Sequence, residues 1–282
     1  AALPVTLLLL LAAFMLCFPS KMSKFHAANS SLMFRIMYHI YTTPLGQLVH
    51  DHMDMDESRE PHTEFENVQG SVIQLNAQTE VHIVPVLKDN YCYIIVDKQS
   101  GHAAVVDASD AAAISSSLES MGRDDVRLTH ILSTHDHFDH TGANRRLLRR
   151  NRALIIVGGK DDDVPCCNRR VSDGDIIPVG ANTKVRVIHC PCHTVGHCAF
   201  YIEEREGQGA LFSGDALFVG GCGKFFEGSA RDMRLSLAAL MSLPPNTLLF
   251  PGHEYAEANL KFAHTAVLPQ SSAIEELYAK VK

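Results

Sequence analysis

The chain has 282 residues, of which 46% are hydrophobic and 20% are charged, a balance that is typical of a globular protein and argues against disorder. Its length can hold one α/β domain of about 180–200 residues together with extra segments. The net charge is −7, so we expect no nucleic-acid partner, and any anionic substrate must meet a local cationic site. Sixteen histidines make metal binding a hypothesis to test.

Residues 1–20 form an apolar segment that includes five consecutive leucines, residues 7–11. A helix of about nineteen residues would reach about 28 Å, which is enough to cross the hydrocarbon core of a bilayer. We favour a membrane anchor over a signal peptide, because no small-x-small cleavage site follows; a wrongly assigned start is a third hypothesis. Lys21 and Lys24 follow, so an anchor would keep the following domain in the cytosol or mitochondrion, and secretion is less favoured.

Residues 21–78 predict a linker or juxtamembrane region. Residues 32–49 are semi-apolar and rich in aromatic side chains, which is compatible with an amphipathic segment on a membrane surface. Residues 51–66 are acidic and contain Pro61, so we interpret them as solvated linker.

From Glu80 onwards the sequence alternates between strand-like and helix-like runs. Strands are predicted at residues 81–86, 91–96, 103–107, 128–133, 154–157, 184–189, 199–203, 210–213 and 247–250, and a turn at Gly158-Gly159. Helices are predicted at residues 111–121, 145–152, 230–242 and 272–281. Two strand-rich halves with helices outside predict an α/β (α+β) fold, a four-layer αββα sandwich over residues 79–262.

Residues 134–140 read Thr-His-Asp-His-Phe-Asp-His and directly follow a predicted buried strand. Imidazole nitrogen and carboxylate oxygen are ligands of zinc and similar ions. A helix could not direct all four ligand-type side chains to one point, because neighbouring positions diverge by about 100°. A loop can send His135 and His137 to one metal and Asp139 and His140 to a second, so this motif predicts a metal site.

Three further residues of the same type lie a few positions after predicted strands: His193, Asp215 and His253. A lone Gly-Asp or Gly-His pair is an ordinary turn. Four such loops in one chain, however, favour a shared cleft at the ends of the strands. The sequence therefore predicts that these three side chains join the motif at residues 134–140.

These motifs resemble the glyoxalase II (hydroxyacylglutathione hydrolase) family of the metallo-β-lactamase superfamily. The resemblance covers roughly residues 80–265 and includes the segments 191–197, 221–228, 252–255 and 259–263. It implies the metallo-β-lactamase fold. Residues 252–257, with a weaker match at 32–49, are similar to a branch whose members carry an N-terminal membrane-associated extension.

The resemblance implies two divalent metal ions, with zinc favoured and iron or manganese possible because mixed His and Asp ligands suit all three. Metal one would take His135, His137 and His193. Metal two would take Asp139, His140 and His253, and Asp215 would bridge both. Asp139 and Asp215 would be catalytic as ligands that hold a nucleophilic hydroxide. His197 is not a ligand in the family, and we expect it either to support the ligands from behind or to be structural.

The implied substrate is an S-(2-hydroxyacyl)glutathione thioester, which hydrolysis converts to glutathione and a 2-hydroxy acid. Lys224, Phe226, Tyr255 and Asn259 match substrate-contacting positions of the family. Phe226 stands where the family commonly has Tyr, so one hydroxyl contact is expected to be missing. Residues 263–282 are expected to be only the beginning of the family's C-terminal helical domain, a truncation that puts affinity for glutathione in doubt. We expect a monomer.

Two alternatives stay open at this point. One is a persulfide dioxygenase-like enzyme that holds a single iron through a two-His, one-Asp triad. The other is a membrane-tethered family member that retains the fold and acts through partners. The complete set of seven ligand-type residues favours the hydrolase.

Overall fold

Twelve strands form two sheets in this computed structural model, which describes residues 71–203, 208–267 and 271–281. The first sheet contains β1 (Val72–Gln74), β2 (Thr79–Val86), β3 (Asn90–Asp97), β4 (His102–Val106), β5 (Arg127–Leu132), β6 (Ile155–Gly159) and β7 (Arg169–Val171). The second contains β8 (Ile176–Val179), β9 (Thr183–His189), β10 (Cys198–Ile202), β11 (Ala210–Gly214) and β12 (Leu248–Pro251).

Six α-helices accompany the sheets within the described ranges: α1 (Ala111–Ser120), α2 (Phe138–Thr141), α3 (Asn144–Arg150), α4 (Ala230–Met241), α5 (Ala256–Phe262) and α6 (Ser272–Val281). A π-helical turn, Ala263–Val267, continues α5. None of the described helices has the length and apolar character that spanning a membrane requires. The predicted membrane segment, residues 1–20, lies outside the described residues, as does the predicted linker up to residue 70.

Side chains that alternate along the strands divide the interior into three apolar layers. In β3, Tyr93 and Ile95 pack into the layer between the two sheets, whereas Ile94 faces the layer beneath α1 and α3. In β10, Phe200 joins the central layer and Tyr201 packs on the α4 side. The layers therefore run helix, sheet, sheet, helix, and the predicted four-layer sandwich is confirmed.

The parallel strand pairs decide where the loops meet. Strands β4 to β7 run parallel to one another in the first sheet, and β11 runs parallel to β12 in the second. The carboxyl ends of parallel neighbours lie at one edge of a sheet. The loops that follow β4 and β5 consequently lie together at one end of the first sheet, and those that follow β11 and β12 lie together at one end of the second.

The structure corrects the predicted turn at Gly158-Gly159, because both residues belong to β6. A Cβ atom on Gly158 would lie 2.7 Å from the Val164 side chain, and one on Gly159 would lie 2.0 Å from the carbonyl oxygen of Gly196. These glycines permit close packing rather than a chain reversal. The short strands β1, β7 and β8, and the helices α2 and α5, were not predicted.

Candidate metal centre

The motif at residues 134–140 continues directly from β5 into α2. His135 and His137 lie in the connecting loop, and Asp139 and His140 lie in the short helix α2. The side chains of His135, His137 and His140 are all buried. Strand β5 is buried between β4 and β6, so the loop starts from a fixed point at the end of the sheet.

His193, Asp215 and His253 reach the same point from the second sheet. His193 lies in the loop between β9 and β10, Asp215 follows β11, and His253 follows β12. Pairing of β11 with β12 continues past the strands, since the N–H of Gly252 donates to the carbonyl oxygen of Gly214 at 3.0 Å. The Asp215 and His253 loops are thereby held side by side.

The seven predicted ligand residues fall into three groups that share members. Within each group, the three atoms that could bind a metal lie within 4.8 Å of one another. The groups are His135–His137–His193, His135–His140–Asp215 and Asp139–His140–His253. The first and third are the two triples that the family resemblance implies. The second links them through its shared members.

Asp215 directs one carboxylate oxygen to each triple. Its Oδ2 lies 3.2 Å from Nε2 of His193, a member of the first triple. Its Oδ1 lies 3.4 Å from Nε2 of His140 and 3.5 Å from Nε2 of His253, both members of the third. This is the arrangement that a carboxylate bridging two ions requires.

Three buried atoms at the centre of this cluster have no hydrogen-bond partner among the described residues: His135 Nε2, His140 Nε2 and Asp215 Oδ1. A buried polar atom without a partner costs about 1–3 kcal/mol. All three atoms are ligand types for zinc, iron or manganese. The residues present therefore fit a pair of divalent metal ions, which would satisfy these atoms.

Each of three histidines is oriented by a hydrogen bond from its Nδ1 atom. His140 bonds Oδ2 of Asp107 at 2.9 Å, His253 bonds Oδ1 of Asp89 at 2.8 Å, and His193 bonds the carbonyl oxygen of Lys224 at 2.8 Å. An oxygen that only accepts assigns the ring proton to Nδ1. The Nε2 atom then points into the cluster, where it can ligate a metal once it carries no proton, as in known histidine metal sites.

Charge differs between the two sides of the cluster. Burial lowers the pKa of His135 well below its usual range and that of His137 to about 3, so both rings are neutral and ready to ligate. Burial also acts on His140, but the carboxylates of Asp215 and Asp139 outweigh it and raise its pKa to about 9. A cation that binds to the third group must therefore displace a proton.

Comparisons with known proteins place this geometry in a family. Residues 87–253 match the family model of the Metallo-beta-lactamase superfamily. The chain is 41% identical over 198 residues to the cytoplasmic hydroxyacylglutathione hydrolase of Arabidopsis thaliana, which covers 70% of this chain and 75% of the relative. It is also 41% identical over 196 residues to the hydroxyacylglutathione hydrolase of Rhodospirillum rubrum, with 69% and 73% covered.

The chain belongs to the glyoxalase II family of the metallo-β-lactamase superfamily. Among solved structures it is similar to ETHE1 from Myxococcus xanthus, with a TM-score of 0.53 and 30% identity over 68% of this chain and 84% of that one. Membership makes it a metal-binding hydrolase. The identity of the metal is a separate question.

In this glyoxalase II chain, the four predicted substrate residues lie on two segments that border the metal cluster. The Phe226 ring meets the rings of His137 and His193 edge-on, with centroids 5.6 and 5.1 Å away. The ammonium of Lys224 lies 5.0 Å from the centre of the Phe226 ring. Lys224 is exposed, so a positive charge lies beside this border of the cluster.

Tyr255 and Asn259 lie on the segment that follows His253. The Tyr255 ring stacks on His253 with centroids 4.9 Å apart and an interplanar angle of 6°. Asn259 donates from Nδ2 to the carbonyl oxygen of Val219 at 3.1 Å. One side of its amide is thus used to hold the loop after β11, while the tyrosine is 36% exposed and faces solvent.

Sequence reasoning assigned no site role to three residues that contact the cluster. Asp107 and Asp89 orient His140 and His253. Asn90 donates from Nδ2 to Oδ2 of Asp139 at 3.1 Å. His197, expected to support the ligands or to be structural, accepts from the N–H of Asp215 at 3.2 Å.

One signal in the sequence could have found Asp107: it directly follows β4, the parallel neighbour of the strand that delivers the motif. No such signal exists for Asp89, since it lies 164 positions from His253.

Proposed function

We propose that this chain hydrolyses S-(2-hydroxyacyl)glutathione thioesters to glutathione and a 2-hydroxy acid at a centre of two divalent metal ions, with zinc the first choice. The observation that carries the proposal is the pair of ligand triples joined by Asp215. It is supported by two relatives, each 41% identical, that are named hydroxyacylglutathione hydrolases. Zinc ranks above iron and manganese because imidazole and carboxylate ligands with an open position are typical of catalytic zinc sites.

Two bound ions would supply a hydroxide nucleophile at neutral pH and stabilise negative charge on the thioester oxygen. The protein's contribution is to hold the ligands without rearrangement. Asp215 is held on both sides of its backbone: its N–H donates to His197, and its carbonyl oxygen accepts from Gly223 N–H at 2.8 Å. Asn90 fixes the Oδ2 atom of Asp139 in the same way.

The loop at residues 221–228 joins metal binding to substrate binding. The carbonyl oxygen of Lys224 orients His193, and its ammonium group stands beside the same site. Glutathione carries carboxylates, and an ammonium group recognises a carboxylate through a charge-assisted hydrogen bond. Phe226 helps to bury His137 and His193 but offers no hydroxyl to the substrate.

The test is metal analysis coupled to a thioester assay on the purified full chain. We expect about two ions per chain and release of thiol from S-lactoylglutathione. Asp215→Ala should lower metal content and reduce the rate by at least 100-fold. Asp124→Ala is the matched control, because Asp124 is exposed and precedes β5, whereas the motif follows the other end of that strand. It should leave both unchanged.

Other outcomes would select an alternative. One iron per chain with dioxygen uptake would support the persulfide dioxygenase-like reaction. Two bound metals without turnover of any thioester would support a partner-binding role. Full hydrolysis by Asp215→Ala would contradict the proposed centre.

Three predictions from the sequence are not tested by the structure. They are membrane association through residues 1–20, a monomeric state, and the domain boundaries at residues 79–262 and 263–282. Detergent extraction, sedimentation and limited proteolysis of the full chain would test them in turn.

A further inference from the structure

Helix α3 and the residues after it carry a block of positive charge that the metal centre does not use. Between residues 141 and 159 the chain contains five arginines and no aspartate or glutamate, in a protein whose net charge is −7. The arginines are Arg145, Arg146, Arg149, Arg150 and Arg152, which we call the arginine cluster. The cluster lies on the outer helix layer of the sandwich.

Most of the cluster is exposed, and three of its members lack an ion pair with a described residue. Arg149, Arg150 and Arg152 are exposed, and Arg146 is half-buried. Arg150 donates from Nη1 to Oγ of Ser115 at 2.9 Å, a neutral partner on α1. Within residues 71–203, 208–267 and 271–281, no carboxylate lies within 4.0 Å of the guanidinium groups of Arg146, Arg149 or Arg152.

The apolar side of α3 faces inward, so the outer side offers charge alone. Leu147 is 5% exposed, and Leu148 packs against the layer beneath the helix. Basic residues in the last turn of a helix interact favourably with the helix dipole. Arg149 and Arg150 already stabilise α3 in this way. Protein interfaces depend on a buried apolar or aromatic anchor, which this face lacks.

Nucleic acid is also a poor match for this surface. Residues 141–159 contain no aromatic side chain on which a base could stack. The seven residues of α3 span about 10 Å, so a face about 10 Å wide has an area of only about 100 Å². Even a single DNA-binding module buries roughly 600–1,000 Å². A partner for a convex helix that presents only guanidinium groups must be anionic, but its surface does not have to match a particular shape.

We propose that the exposed face of the arginine cluster docks on a lipid bilayer that contains anionic phospholipids. Guanidinium groups bind phosphate oxygens in a bidentate fork. A bilayer supplies phosphates across a plane, so several arginines can engage at once. Each basic residue near an anionic bilayer strengthens binding about fivefold, and three together on the order of 100-fold.

The first experiment measures binding of the full chain to vesicles of phosphatidylcholine with or without phosphatidylserine. The variant is Arg146→Gln/Arg149→Gln/Arg152→Gln, in which Gln preserves helix propensity. The matched control, Lys184→Gln/Arg231→Gln/Arg234→Gln, removes the same charge from exposed positions elsewhere. We expect the variant, but not the control, to lose at least tenfold in affinity for anionic vesicles. Unchanged thiol release from S-lactoylglutathione would show that both remain folded.

The apolar residues 3–18 are expected to bind any bilayer, so a second readout must report on the cluster itself. An arginine-specific dicarbonyl reagent modifies exposed guanidinium groups, and mass spectrometry of peptides gives the rate at each site. Anionic vesicles should slow modification of Arg149 and Arg152 at least fivefold, while Arg231 and Arg234 on α4 react as before. Neutral vesicles should slow neither pair, and 0.5 M NaCl should abolish the protection.

Equal modification rates at Arg149 with and without anionic vesicles would overturn the proposal. So would protection that extends equally to Arg231, because that would indicate non-specific adsorption. Protection by an RNA oligonucleotide or an acidic peptide, but not by vesicles, would assign the cluster to that partner and overturn the lipid assignment.

Discussion

Asp107 holds two parts of the metal centre with one carboxylate. Its Oδ1 accepts from the backbone N–H of Thr134 at 2.8 Å, and its Oδ2 accepts from Thr134 Oγ1 and bonds His140 Nδ1, both at 2.9 Å. Asp107 is 2% exposed, so water cannot replace these bonds. Asp107→Asn keeps the shape of the side chain but turns one of the two acceptors into a donor.

The size of the effect follows from this geometry. Whichever way the new amide turns, its NH₂ group meets an N–H or O–H donor of Thr134 or His140. A buried donor left without an acceptor costs about 1–3 kcal/mol, and loss of a group that orients a metal ligand typically costs 10–100-fold in affinity. We therefore expect Asp107→Asn to weaken metal binding at the triple that contains His140 by about 10–100-fold.

Asp89→Asn is the matched comparison because Asp89 orients His253 in the same triple. The Asp89 side chain is 31% exposed, so its amide can turn the oxygen to the ring and the NH₂ group to water. We expect a loss of less than tenfold. The assay titrates metal-free protein with Zn²⁺ against a chromophoric chelator and fits two dissociation constants. Wild-type affinity in Asp107→Asn, or a larger loss in Asp89→Asn, would refute this reasoning.

Three further predictions concern packing, substrate binding and stability. Gly252→Ala would put a Cβ atom 2.6 Å from Oδ1 of Asp215 and 2.8 Å from Cε1 of His140, so metal content should fall, as atomic emission would show; normal occupancy would contradict it. Phe226→Tyr should lower the Michaelis constant for S-lactoylglutathione if the hydroxyl absent from this chain matters, and an unchanged constant would remove that explanation. Asp97→Asn removes a carboxylate that accepts two backbone N–H groups at the start of β9, and should lower the free energy of unfolding by about 2 kcal/mol at pH 7. Burial raises the pKa of Asp97, but hydrogen bonds from Ser100, Asn182 and Thr183 outweigh it and hold the pKa below its usual value. The carboxylate therefore stabilises the fold above its unfolded pKa of about 3.9. The difference between wild type and Asp97→Asn should shrink as the pH falls from 5 to 3 in urea titrations, and a constant difference would count against this explanation.

Much of the fold followed from local patterns. Alternation or continuous apolar runs predicted β3, β5 and β9 within one or two residues of their observed bounds, because a strand buried between layers must present apolar side chains on both faces. The helix at residues 272–281 was predicted with its observed bounds. The three-residue strands β1 and β7 were not predicted, since short edge strands carry too few side chains to show a period.

The candidate ligands were visible in the sequence because each follows a strand directly or closely, and because His and Asp at strand ends have a recognisable chemistry. Their division into two triples came from family resemblance, and the structure brings the same residues together. Their orientation was not visible. Asp107, Asp89 and His197 contact ligands that are 18 to 164 positions away, and no local pattern encodes such a pairing.

The sequence by itself determined the kinds of atoms that can bind a metal and the strands that carry them, since both are properties of short segments. Only the tertiary structure decided which oxygen of Asp215 faces which triple, and which carboxylate holds each imidazole. Those choices depend on packing two sheets so that four loops meet at one end. The same packing sets the exposure of the arginine cluster: the sequence shows its charge, and only the fold shows which of its side chains face outward.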